Sequence, residues 1–342
     1  MSAEASFWEP LEGDRVGCTL CPHACVIESD RDGVCKARGN RGGRLISLVY
    51  GHPATAVSDE IEKKPFYHFH PGTRVLSFGT LGCNVLCIGC PTWQLSHATA
   101  RNEVDRLPTM TPAQAVAMAL KHKLPGITWT YNEPTVWVEW VHDVAVAARA
   151  AGLFTAFVTA GFMSIEALDY LAPTLDALKY DLKAPDERGW SALSKVRDPA
   201  ITRDVALRAR EVHGLHVEVV SNVVPGINDD ETSLRTMAQW VHDALGPDTP
   251  WHVTRFQPEF ELSHLPATPI KTLEQAATLG RVAGLRFVYV GNVPGHAGRH
   301  TVCPACGRTA IHRGDQRLEG MWLRDGRCAA CGEDLHVVQG AR

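Results

Sequence analysis

Between Arg74 and Val290 short apolar runs alternate with longer segments of helical character, and this alternation limits the fold more than any other feature of the chain. The runs are rich in β-branched and aromatic residues: "RVLSFGT" (74–80), "GITWTY" (126–131), "FTAFVT" (154–159), "LDALKYD" (175–181), "HVEVVSNVV" (216–224), "WHVTRF" (251–256) and "RFVYV" (286–290). Helices are expected between them, for example over Thr111–His122, where Thr111 can cap and Pro112 suits the first turn, and over Asp229–Leu245, which opens on acids. A serial βα pattern demands parallel strands joined by right-handed crossovers, in an open doubly wound sheet or in a complete or partial barrel. In either architecture ligands meet the C-terminal ends of the strands.

With 342 residues, 45% of them hydrophobic, the chain can bury a large core without disulfides. Its net charge of −4 gives no basic surplus, which argues against nucleic acid as the main partner and favours a small-molecule or protein substrate. The opening "MSAEASFWEPLEGDR" has no apolar core of a signal peptide, and no run of 18 apolar residues occurs anywhere, so neither secretion nor a membrane span is expected. A cytoplasmic location follows as an expectation. In a reducing compartment, clustered cysteines act as metal ligands or catalysts before they act as disulfides.

All eleven cysteines fall into three groups. Cys303, Cys306, Cys328 and Cys331 form two C-x2-C knuckles, each followed by glycine, a donor set suited to a closed tetrahedral zinc site, with a rubredoxin-like iron as the alternative. Cys18, Cys21, Cys25 and Cys35 supply four ligands in a Gly- and Arg-rich leader, for zinc or for an auxiliary iron–sulfur cluster. So little apolar sequence surrounds them that metal binding is expected to supply much of the leader's folding free energy. His23, inside this knuckle, is expected beside the metal rather than on it. The third group, Cys83, Cys87 and Cys90, has spacing C-x3-C-x2-C and no fourth cysteine nearby. A [4Fe-4S] cube ligated by three thiolates keeps one iron open for a non-protein ligand, whereas a three-thiolate zinc with water or a dehydratase-like cluster would also fit three thiols.

Here the chain resembles the radical S-adenosylmethionine (SAM) superfamily, whose cluster signature is C-x3-C-x2-C after the first barrel strand. The ordered segments "CTLCPHAC", "IEKKPFYHFHPG", "TLGCN", "TWTYNEPT", "VTAGFM", "LDALKYDLKAP", "VEVVSNVVPGINDDE", "PWHVTRFQP" and the two "CxxCG" knuckles are similar to those of the AmmeMemoRadiSam-system radical SAM enzymes, relatives of the pyruvate formate-lyase activating enzymes. The resemblance implies an α/β fold: a partial (β/α)6 TIM-like barrel over 74–295, an N-terminal four-cysteine module over 1–73 and a C-terminal zinc ribbon over 296–342. It implies a [4Fe-4S] cluster on Cys83, Cys87 and Cys90, and reductive cleavage of SAM to methionine and a 5′-deoxyadenosyl radical that abstracts hydrogen. Asn132 and Glu133 stand where the superfamily receives the SAM ammonium group, and Asp181 and Lys183 look like the Asp-x-Lys motif of activating enzymes, facing the SAM carboxylate.

Asn222, His252 and Arg255 are further polar residues at strand ends, divided between ligand contact and packing. Two departures bear on adenosine: Gly89 occupies the place of an aromatic residue, and "VTAGF" replaces "VTNGY", leaving Trp93 or Phe162 to offer a stacking face. An external one-electron donor, flavodoxin or ferredoxin, is implied because no nucleotide fingerprint is present. The substrate is expected to be a polypeptide residue, as for activating enzymes, with a small molecule of specialised metabolism as the alternative. A non-enzymatic, metal-scaffolded binding protein is the competing reading of another class.

Overall fold

The computed structural model describes residues 3–196, 198–315 and 317–340. Its centre is an eight-stranded sheet of β1 (Thr55–Glu60), β2 (Arg74–Gly79), β3 (Gly126–Trp129), β4 (Phe154–Thr159), β5 (Ala177–Asp181), β6 (His216–Val223), β7 (Trp251–Arg255) and β8 (Val288–Gly291). Seven of these are the runs expected from sequence, and each neighbouring pair among them is parallel. Their spatial order is their chain order, without the reversal of a doubly wound sheet. With right-handed crossovers, such an order carries the connecting helices to one face and frees the other for a site. The sheet is open, with β1 and β8 at its edges.

The sheet also begins before Arg74. β1 pairs antiparallel with β2 from Thr55↔Gly79 to Glu60↔Arg74, so a strand assigned to the leader extends the main sheet. Polar "TAVSDE" lacks the apolar run that marked the other strands, because an edge strand buries little.

The connecting helices include α1 (Pro112–Lys121), α2 (Val138–Ala150), α3 (Ile165–Leu171), α4 (Ala200–Glu211), α5 (Glu231–Leu245) and α6 (Ile270–Val282). Thr111 caps α1 in a reciprocal box: its Oγ1 accepts from the Gln114 N–H at 3.2 Å, and Gln114 Oε1 accepts from the Thr111 N–H at 2.8 Å. α5 is capped by Asp230, which accepts from the Ser233 N–H at 2.9 Å, and it stops at Gly246. Alternation along each strand sorts the side chains. Phe157, Leu178, Tyr180, Val219 and Val253 are fully buried in the core, whereas Val158, Lys179, Asp181, Val220 and Asn222 line the opposite, open face.

The leader forms two small three-stranded sheets. Its Val16, Leu20, Ile27, Ala37 and Leu45 are buried in the same apolar cluster as the main core, so packing against the sheet contributes to its stability beside whatever a bound metal supplies. After β8 come short hairpins carrying the knuckles; Ile311, Leu335 and Val337 pack with Phe287, just before β8, with Tyr289 of β8 and with Tyr67. No helix among the described residues is long and apolar enough to cross a membrane.

Candidate active site

The loop after β2 carries Cys83, Cys87 and Cys90 at the C-terminal end of the strand, on the open face. Gly82 makes its course possible. At φ +83°, a Cβ on this residue would lie 2.3 Å from the Cys35 carbonyl oxygen, so only glycine fits. Immediately after it, the Cys83 N–H donates to that same Cys35 carbonyl at 3.0 Å. Asn132, placed by the end of β3, pins the other side of the loop, donating from Nδ2 to the Gly82 carbonyl at 2.7 Å and accepting at Oδ1 from the Thr80 N–H at 3.2 Å. Its side chain is thus engaged in holding the loop. The Ser96 hydroxyl donates to Cys90 Sγ at 3.2 Å, and the His97 ring N–H donates to the Cys87 carbonyl at 3.1 Å.

All three thiols line one cavity of about 340 Å³, together with Asn132, Glu133, Asp181, Lys183 and Asn222. Glu133 is 4% exposed and accepts from the Thr135 and Thr159 hydroxyls, each at 2.7 Å, and from the Ala160 N–H at 2.8 Å. Burial raises its pKa against the opposing pull of these donors. On β5 the pair expected from sequence becomes a triplet: Lys179 lies on the same face and pairs with Asp181, while Lys183 Nζ stands 3.6 Å from the other Asp181 oxygen. Burial works against charge on Lys183, but the Cys87 sulfur as thiolate and the Asp181 carboxylate outweigh it and hold the ammonium well above its ordinary range. Sequence reasoning stopped at Asp-x-Lys, although the two-residue alternation in "KYDLK" could have found Lys179.

The two departures noted in the sequence, at Gly89 and Ala160, have structural partners. A Cβ on Gly89 would meet Leu262 Cδ1 at 2.9 Å and Phe256 Cε2 at 3.2 Å. The space of the missing aromatic is therefore taken by Phe256 and Leu262, which line the cavity from the segment after β7 and which sequence reasoning missed. Ala160 contributes its small side chain to the wall and its N–H to Glu133. Trp93 is absent from the cavity lining and stacks instead on Phe260, with centroids 5.0 Å apart. Phe162 also turns away, edge-on to His23 at 5.0 Å, in a buried cluster with Cys83 and Val85.

His252 is 1% exposed and lies 2.8 Å from Glu218, a fully buried carboxylate that also accepts from the Tyr67 and His68 N–H groups and from His216. This is a packed charge network with its own internal partners. Arg255 donates from Nε to the Thr268 carbonyl at 2.9 Å and lines a second cavity of about 630 Å³ that adjoins the first. The two cavities share Lys63, Gly89, Pro91, Lys179, Val220 and Asn222. Arg299, Arg313 and Arg317, from beyond β8, complete the second.

The three cysteine groups differ in geometry. Among the described residues, Cys303, Cys306, Cys328 and Cys331 form the group whose ligand atoms all lie within 4.8 Å of one another; Sγ–Sγ separations are 3.6 Å for Cys303–Cys331 and 3.8 Å for Cys306–Cys328. Four thiolates about 2.3 Å from one tetrahedral ion stand about 3.8 Å apart, so this group fits a single metal ion. Gly307 and Gly332, at φ +71° and +81°, donate to the carbonyls of Cys303 and Cys328 and close the knuckles. The central three thiols are not gathered in this way, yet they line a common cavity next to a cationic lysine and a buried carboxylate. That donor set fits a polynuclear cluster better than one ion.

The sequence profile of the Radical SAM superfamily matches residues 78–238. An uncharacterised protein of Methanocaldococcus jannaschii is 37% identical over 98% of this chain and 99% of its own length. The isethionate sulfite-lyase activating enzyme of Nitratidesulfovibrio vulgaris is 26% identical over 46% of this chain and 50% of its own. Among solved structures, a radical SAM methyltransferase from Sphaerobacter thermophilus aligns with 83% of this chain and 76% of its own at a TM-score of 0.51 and 16% identity, a likeness of fold alone.

Proposed function

Since the chain belongs to the radical SAM superfamily of enzymes, we propose that the cavity on the open face binds SAM against a [4Fe-4S] cluster on Cys83, Cys87 and Cys90, within a sheet curved as a partial barrel. When bound, that cluster supplies one electron that cleaves SAM reductively to methionine and a 5′-deoxyadenosyl radical, which abstracts hydrogen from a substrate. The observation that carries the reading is the convergence of the three thiols, Glu133 and the Lys179–Asp181–Lys183 triplet on one cavity.

The chain's own residues divide the work. Glu133 offers a desolvated carboxylate to the SAM ammonium, and Lys183 offers an ammonium to its carboxylate. Asp181 orients the two lysines, and Asn132 fixes the loop that presents the thiols. Phe256 and Leu262 give the adenosine an apolar wall in place of the missing aromatic, and Asn222 sits where the two cavities meet. The electron comes from an external flavodoxin or ferredoxin.

The substrate lies in the adjoining cavity. By analogy with activating enzymes it is a polypeptide residue. One observation favours a small molecule instead: Arg299, Arg313 and Arg317 from the C-terminal segment line that cavity together with the acids Glu60, Glu62 and Asp315, which suits a small polar guest carrying groups of both signs. The knuckle cysteines hold structural zinc, and the residues before Thr55 and those of 296–342 act as modules flanking the central sheet, to which Thr55–Glu60 itself belongs.

The test is anaerobic reconstitution followed by a dithionite-driven assay for 5′-deoxyadenosine. Cys87→Ala is expected to abolish the product while fold and zinc content persist. Zinc filling the central trio in anaerobic protein would overturn the reading.

A further inference from the structure

The lysines of "IEKKP" (61–65) and the tyrosine of "TWTYNEPT" (128–135) have no part in the chemistry described so far, and the structure brings them together. Asp59, on edge strand β1, and Lys64, just beyond it, meet at the Tyr131 hydroxyl. This hydroxyl donates to Asp59 Oδ2 at 2.7 Å and accepts from Lys64 Nζ at 3.1 Å, and Lys64 Nζ also donates to Asp59 Oδ2 at 2.9 Å. Lys64 is 4% exposed, with its ammonium 4.5 Å from the centre of the Tyr131 ring. Each of the three groups bonds the other two. Burial would raise the Asp59 pKa, but the bonds from Lys64 and Tyr131 bring it down to about 2, so the triangle closes on a full negative charge. Lys64 and Tyr131 both line the cavity that holds the thiols.

The backbone of Tyr131 shows what such a triangle can do. Its φ is +75°, and a non-glycine residue keeps this left-handed conformation only where surrounding contacts hold it. Asp59 pairs with Val75, early in β2, whereas Tyr131 follows the end of β3, so the side chain runs back along the open face to reach Asp59. Gly79 leaves it room, since a Cβ there would lie 3.0 Å from Tyr131 Cδ2. On the backbone side, the Tyr131 carbonyl accepts from the hydroxyl of Thr92, two residues after Cys90. Tyr131 is therefore tied by its side chain to the edge strand and by its backbone to the ligand loop. Asn132 and Glu133 follow it directly.

We propose that Asp59 and Lys64 are positioning residues for SAM binding: they lock the Tyr131 side chain and, through the left-handed backbone of Tyr131, set Glu133 at the angle from which it meets the SAM ammonium. The service to SAM rests on the reading of the cavity as a SAM site; the lock on the turn does not.

The experiment uses the full chain, reconstituted anaerobically, as unmutated protein, Tyr131→Phe, Lys64→Met and the double variant. Tyr131→Phe deletes one oxygen and keeps the ring, so it carries the test should Lys64→Met fail to fold. Before SAM is added, hydrogen–deuterium exchange of the peptide covering residues 130–137 is expected to quicken in each variant; exchange at the unmutated rate would overturn the lock. In calorimetric titration with SAM, each single variant is expected to bind roughly tenfold more weakly at unchanged iron content, the loss of about one hydrogen bond. The double variant is expected to lose no more than the weaker single one, because both changes open the same network. Losses that multiply would make the two residues independent contacts and refute the proposal, as would unchanged affinity beside quickened exchange. Tyr131→Gly separates positioning from direct contact. Glycine adopts the left-handed backbone freely, so this variant is expected to lose no more affinity than Tyr131→Phe, whereas a ring that itself touched SAM would make glycine the worse. Unmutated protein that takes up no SAM would sink the reading of the cavity and leave exchange to judge the lock, so the two failures are separable.

Discussion

Glu133 is a carboxylate surrounded by two hydroxyls and two backbone amides, buried to 4% exposure and raised in pKa by that burial. Its charge is poorly solvated in the free protein, and a ligand cation would relieve this. Glu133→Gln preserves the shape and weakens the charge-assisted bond. Hydrogen bonds to charged groups are worth about 1.5–3 kcal/mol, so SAM affinity is expected to fall roughly ten- to a hundredfold while iron content stays unchanged. Calorimetric titration of reconstituted protein with SAM measures this, and equal affinity in the variant would assign the carboxylate to the loop alone. Asn132 lies one residue earlier in the same motif but has a different task, because its amide is used up by Gly82 and Thr80. On the proposed reading, neighbouring letters of one motif thus separate into a charged group offered to the ligand and a positioning group, a distinction invisible until the partners of both are in place.

At the scale of elements, His68 ties three of them together. Its Nδ1–H donates to the Leu335 carbonyl at 2.8 Å, and its Nε2 accepts from the Tyr289 hydroxyl, so the segment before β2, strand β8 and the C-terminal hairpins meet on one neutral imidazole. Burial lowers its pKa from 6.5 to about 3; Arg313 and His216 act in the same sense, and Glu218 opposes them. Between those two values the unfolded chain binds a proton that the folded chain refuses, so stability rises with pH through this window and is lost as the solution is acidified. By this group alone the chain is expected to be about 2 kcal/mol less stable at pH 5 than at pH 8. Glu218, held far below its ordinary range by His216 and His252 despite its burial, adds to the loss only under more acid conditions. Urea midpoints across pH 5–8 test the point. His68→Gln, which can still donate and accept, is expected to flatten the dependence, and an unchanged slope would place its origin elsewhere.

Across the whole molecule, the active face is finished by parts from outside the central sheet. Tyr67, Phe287 and Tyr289 form one apolar cluster with Ile311, Leu335 and Val337, and Arg313 donates to the Tyr67 carbonyl at 2.7 Å. Truncation after Gly295 would expose the three aromatic rings. At about 1.5–3 kcal/mol for each large apolar side chain returned to water, a loss of roughly 5 kcal/mol is expected, together with opening of the second cavity. Denaturant titration and dye binding to exposed apolar surface measure it, and an unaltered midpoint would make the C-terminal segment a passive appendage. The seven parallel strands and the three cysteine groups were legible in the sequence, because periodicity and ligand spacing are local properties of the chain. The edge strand Thr55–Glu60 was not, because an edge needs no apolar pattern. Nor were the filling of the Gly89 space by Leu262 and Phe256, the withdrawal of Trp93 and Phe162 from the cavity, the neutral role of His68, or the contact between Cys35 and Cys83. The sequence by itself determined which residues can ligate, cap and alternate. The tertiary structure alone decided which of them face a common cavity and which spend their hydrogen bonds on the frame, since those outcomes depend on burial and on partners far away along the chain.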